Sequence, residues 1–175
     1  MSLSRTVLSE QLKEILLKRI LSGEYKSGDR LVEMQIAQEF EISQAPVRAA
    51  LEEVAARLAA KRLAGNVKAL EAELAAMYAA AEKGDLDEQV QHDVEFHRLI
   101  VEASGNRVLQ DVWRSLRIEA RTLISVLKTD IGGHEIAEMH RPVLEALAEG
   151  DAERAGLLLR QHVEYFGELI LKEDR

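Results

Sequence analysis

At 175 residues and 47% apolar content, the chain is long enough to bury a core, as one domain or as a small head on a larger body. A net charge of −8 excludes general coating of nucleic acid, and the absence of Cys excludes a disulfide framework or a thiolate metal site. No apolar run approaches the roughly 18 residues that span a bilayer, and no signal-peptide core is present, so a cytoplasmic protein without a membrane partner is expected.

The charge is uneven. Basic and acidic residues cancel through Arg48, which leaves a neutral head able to meet DNA through a local patch and puts the acidity on the rest of the chain. Aromatic residues are scarce while Ala and Leu are abundant, a composition that favours packed helices.

A helix is predicted over residues 4–22, with Val7, Leu8, Leu12, Ile15, Leu16 and Ile20 on one side, Ser4 as N-cap and Gly23 as its stop. Residues 22–31 form a turn-rich connector, and a short helix over about 33–40 turns Ile36, Ala37 and Phe40 inward. Ser43 caps a further helix opening at Gln44-Ala45-Pro46, where Pro suits the first turn. Two short helices joined by a tight turn have the outline of a helix-turn-helix, and equally of an ordinary helical hairpin. On the first reading Ser43, Gln44, Ala45 and Arg48 lie at the exposed N-terminal end of a recognition helix and meet phosphates and base edges.

The run from Arg48 continues through Glu52-Glu53-Val54 to Ala60 without a strand or turn signal, which fuses this stretch into one helix from about Gln44 to Leu63. Gly65-Asn66 breaks it. Val67, Leu70, Leu74, Met77, Tyr78 and Ala81 mark the next helix, closed by Lys83-Gly84-Asp85. A helix over about 86–103 follows, and Val108 to Leu127 mark a long one ended near Asp130 and Gly132-Gly133. His134 falls in a predicted loop. Pro142 interrupts the next pattern, so that helix starts near His140 or kinks there. Gly150-Asp151 precedes the last helix. Short connections imply antiparallel neighbours in a bundle.

Three core faces carry polar intrusions. Asp93 and His97 stand in the stripe Leu86, Val90, Ile100; His140 stands among Ile136, Met139, Val143 and Leu147; His162 stands among Ala155, Leu158, Leu159, Phe166 and Leu169. A buried carboxylate is costly unless a cation or hydrogen bonds offset it, and a metal ion would do so while using the imidazoles. If the faces meet, one Asp and three His make an N3O site for Zn²⁺, Ni²⁺, Mn²⁺ or Fe²⁺. Each intrusion is alternatively a hydrogen-bonded core residue, and spacing leaves both readings open. His92 lies off its stripe and is left out. Arg117 and Arg121, at i and i+4, could clamp a small carboxylate or simply pair with Glu side chains.

The head resembles that of GntR-family transcription regulators. The resemblance rests on Ile20-Leu21-Ser22-Gly23-Glu24-Tyr25, Gly28-Asp29-Arg30-Leu31-Val32-Glu33, Ile36-Ala37 and Ile42-Ser43-Gln44-Ala45-Pro46-Val47-Arg48-Ala49-Ala50-Leu51. Arg48 matches an arginine implied to contact DNA, while Gln44 replaces another. The remainder resembles the FCD effector-binding bundle of the FadR branch, whose metal-ligand positions match Asp93, His97, His140 and His162. The resemblance implies an all-α protein with a helix-turn-helix head over 1–48 and an antiparallel bundle of six or seven helices over 49–175. It further implies a homodimer on a double-stranded operator, switched by a small organic acid bound beside the metal. The family's winged hairpin has no counterpart after Arg48, so DNA affinity is expected to be reduced. Two alternatives follow: a metal- or metabolite-binding helical dimer that no longer reads DNA well, and a metal-dependent hydrolase suggested by His92-Asp93. The hydrolase lacks the upstream His it needs, and a regulator rather than an enzyme is expected.

Overall fold

The structure, a computed structural model, describes residues 44–115, 122, 123, 126, 127 and 130–173, with 14, 15, 18, 19 and 22 nearer the N-terminus. Among the described residues all regular structure is helical: α1 Gln44–Leu63, α2 Lys68–Lys83, α3 Leu86–Ala103, α4 Arg107–Ser115, α5 Gly133–Glu138, α6 Arg141–Glu149 and α7 Ala152–Glu173. Positions 14, 15, 18 and 19 are also helical, inside the first predicted helix. Of the remaining residues of the expected head only Ser22 and those from Gln44 on are described, and Ser43 lies outside the described residues.

The bundle is built around α1. Val47, Ala49, Ala50, Leu51, Val54, Ala55, Ala56, Ala59 and Ala60 are all buried and point in every direction around it, so the helix has no single apolar stripe and must be enclosed. α7 packs along it most extensively, and α3, α4 and α6 take other sides. Small residues let α7 approach closely: a Cβ added at Gly156 would stand 3.1 Å from the Glu53 carbonyl oxygen. The two helices run antiparallel, since Arg57 pairs with Glu153 at one end while Arg48 shares a cavity with His162 and Phe166 at the other.

Leu51, Val54, Val101, Leu109, Val112 and Trp113 form one apolar cluster between α1, α3 and α4. A larger one joins Leu70, Met77, Phe96, Ile100, Val143, Leu147 and Leu159. Each such side chain contributes about 1.5–3 kcal/mol by leaving water, and together they hold α3, α6 and α7 against α1. Between α2 and α3 the chain turns in two residues: Gly84 takes φ 67° to close α2, and the Asp85 carboxylate caps α3 by accepting from the Glu88 N–H at 2.9 Å.

Three details differ from the sequence reading or sharpen it. The pattern around Pro142 is two helices, because Pro occupies the first turn of α6 and cannot continue α5. His134, predicted in a loop, lies in the first turn of α5, exposed and with its ring against Tyr78. The expected boundary between Arg48 and Ala49 falls inside the unbroken helix α1.

Candidate metal centre

Helix α3 presents Asp93 and His97 one turn apart, the α5–α6 junction presents His140, and α7 presents His162. One ligand atom from each lies within 4.8 Å of the other three. The imidazole centroids of His140 and His162 are 4.3 Å apart, and His97 lies 5.5 and 5.3 Å from them. Asp93, His97 and His140 are buried. Polar intrusions on three separate faces in the sequence are therefore one cluster in space.

Hydrogen bonds behind the cluster fix which ring nitrogens face it. His140 Nδ1 donates to the Ile136 carbonyl at 3.0 Å, and His97 Nδ1 donates to the Glu52 carboxylate. Each arrangement leaves Nε2 pointing inward. His97 Nε2, His140 Nε2 and His162 Nδ1 are buried with no hydrogen-bond partner among the described residues. Asp93 Oδ2 is 3.1 Å from His140 Nε2. With its proton committed to Ile136, a neutral His140 sets a lone pair against this carboxylate, an arrangement that requires a cation or a second proton nearby.

The electrostatics favour ligand forms of the side chains. Burial would raise the Asp93 carboxyl, but the closeness of His140, with His97 and Arg48, holds it below its ordinary value. Burial, aided by His140 and His97, pushes His162 well below the usual imidazole value and so keeps its lone pair free. Three orphaned imidazole nitrogens and one ionised carboxylate fit a divalent transition metal, as a complete tetrahedral set or as four positions of a larger shell.

Glu52 was not foreseen as part of this site. It is fully buried on α1, and its carboxylate accepts from His97 Nδ1, Trp113 Nε1 at 3.0 Å and Arg48 Nε at 2.8 Å. Burial would raise this carboxyl, yet His97 and Arg48 outweigh it and hold it far below the usual range. The sequence signal was a carboxylate four residues after Arg48 in a helix whose Ala, Val and Leu residues lie on every side.

Arg48 lies on the cavity side of α1. With Asp93, Thr122, Val126, Ile136, His162, Val163 and Phe166 it lines a small cavity of about 10 Å³, room for one water or ion. Its bond to Glu52 uses Nε, and its terminal nitrogens make no hydrogen bond among the described residues. Gln44 and Ala45 open α1, while Arg117 and Arg121 lie outside the described residues. The two histidines left out of the site are elsewhere: His92 pairs with Glu73 at 2.7 Å, and His134 stands beside Tyr78.

Comparison with known proteins matches the FCD domain over residues 43–165 and the bacterial regulatory proteins of the gntR family over residues 8–67. A probable D-xylose utilization operon transcriptional repressor of Paenarthrobacter nicotinovorans is 33% identical over 160 residues, spanning 91% of this chain and 70% of that protein. This chain is a GntR-family regulator with an FCD domain. The regulator is thus a DNA-binding transcription factor and not an enzyme, which sets the hydrolase alternative aside. The structure of E. coli McbR/YncC shares its fold, with a TM-score of 0.62 at 19% identity over 96% of this chain and 99% of that one. The two family matches overlap over residues 43–67, which contain the whole of α1.

Proposed function

We propose that Asp93, His97, His140 and His162 hold a divalent transition metal, and that a small organic acid binding there changes operator affinity. The observation that carries this reading is the set of three buried imidazole nitrogens, each without a hydrogen-bond partner, around the Asp93 carboxylate. When bound, the metal would supply a Lewis-acidic position for a carboxylate. Arg48 is assigned to this effector side rather than to DNA, because its guanidinium edge, unbonded among the described residues, borders the same cavity as Asp93 and His162. Arg117 and Arg121 remain candidates for the far end of the acid. The cavity admits an ion but not a metabolite, so ligand entry must displace its walls, among them Thr122 and Val126.

Arg48 stands one turn into α1, and the first turn of α1 belongs to the expected reader head. A shift of Arg48 on effector binding would therefore reach the head, with Ser43, Gln44 and Ala45 as its proposed DNA-facing residues, through a rigid helix. In a homodimer this would alter the placement of two heads on two half-sites. The uninterrupted α1 favours a second reading, a metal-binding helical dimer with weakened DNA binding, since no winged hairpin follows Arg48.

Binding of a labelled operator fragment, with and without metal and a panel of organic acids, tests the proposal. The relative's named role in D-xylose utilization makes pentose-derived acids the first to screen. A metal-dependent change in operator affinity with one class of acid supports the switch. Operator binding that no acid alters with metal present contradicts it, and no operator binding under any condition favours the second reading.

A further inference from the structure

We propose that Glu52 is the positioning residue of the metal centre, a carboxylate that holds His97 in its ligand-ready tautomer and links it to Arg48 and to the indole of Trp113. The inference rests on the metal reading above. Donors from three helices converge on this one buried side chain: His97 of α3 on Oε2, and Arg48 of α1 and Trp113 of α4 on Oε1.

Three N–H donors require an acceptor-only group with two oxygens, which is the chemistry of an ionised carboxylate. A Gln of the same shape has one acceptor oxygen and one donor amide. With the amide towards His97, the imidazole must accept at Nδ1, carry its proton on Nε2, and lose the lone pair aimed at the cluster. With the amide turned the other way, it confronts the N–H groups of Trp113 and Arg48. An Asp would stop one methylene short. The identity of residue 52 is thus set by the ring orientation of His97.

The link also runs outward. A cation on His97 Nε2 polarises the ring and makes Nδ1–H a stronger donor to Glu52. The shared carboxylate then draws towards His97, which changes the acceptor seen by Trp113. Trp113 is the chain's single tryptophan, so its emission reports metal binding from α4 without a label.

The test compares the metal-free full chain with Glu52→Gln. Zn²⁺ affinity is measured by competition with a chromophoric chelator while tryptophan emission is followed. Wild type is expected to bind Zn²⁺ with a change in emission; E52Q is expected to bind about 10–100-fold more weakly and to lose that change. Equal affinity in the two proteins overturns the role of Glu52 while leaving the metal site intact. Absence of Zn²⁺ binding by wild type defeats the metal reading itself. Should E52Q not fold, long-range proton–nitrogen NMR of metal-free wild type at mildly alkaline pH decides: Nδ1–H with bare Nε2 on His97 supports the proposal, and a proton on Nε2 overturns it.

Discussion

His140 carries a firm constraint at the scale of single residues. Its Nδ1 proton belongs to Ile136, so its Nε2 confronts Asp93 at 3.1 Å, and whatever satisfies one must satisfy the other. Asp93→Asn supplies an amide N–H that can meet Nε2. The variant should therefore stay folded without metal, with melting within a few degrees of wild type by circular dichroism, yet lose more than about tenfold in metal affinity. Arg48→Lys separates the effector from the metal. A lysine cannot hold Glu52 and present a planar fork to a carboxylate, so calorimetry should show acid binding weakened by about tenfold, or about 1.4 kcal/mol, with metal content unchanged. An equal loss of metal would place Arg48 in the scaffold instead. The four residues that cluster were legible because polar residues interrupted clear apolar stripes on α3, around α6 and on α7. Glu52 was not, because α1 is buried on all sides and shows no stripe to interrupt.

At the scale of elements, the seam between α1 and α7 sets the geometry, since α7 carries His162 and α1 carries Arg48 and Glu52. Gly156 keeps this seam close: an added Cβ would lie 2.6 Å from Arg57 Cγ and 3.1 Å from the Glu53 carbonyl oxygen. Gly156→Val should cost about 1–3 kcal/mol through overpacking, which lowers the melting temperature by about 2–4 °C per kcal/mol. An unchanged melting temperature would show that the seam opens freely. The fused helix Gln44–Leu63 could be read from the sequence, because neither Gly nor a further Pro follows Pro46 until Gly65. The α5–α6 break was open in the sequence, since the apolar stripe runs through Pro142. Periodicity records which face is buried, whereas the Pro in the first turn of α6 records where a helix must begin.

At the scale of the whole molecule, a neutral head on an acidic body has a measurable consequence. Phosphate contacts release counterions, so the logarithm of operator affinity should fall linearly with the logarithm of salt concentration, by about 0.9 per phosphate neutralised. Salt-independent binding, followed by fluorescence anisotropy, would contradict a working reader. Fold class and the four clustered residues were visible before the structure, because both follow from periodic burial. The division between head and body was not, because one helix serves both and the phrase around Arg48 fits either. Elemental mass spectrometry of purified protein tests the metal centre most directly, beside His140→Ala and His162→Ala. About one equivalent of a transition metal per chain, lost in both variants, is the expected result. A folded protein without metal, whose melting does not move on adding Zn²⁺, Ni²⁺ or Mn²⁺, would contradict the account.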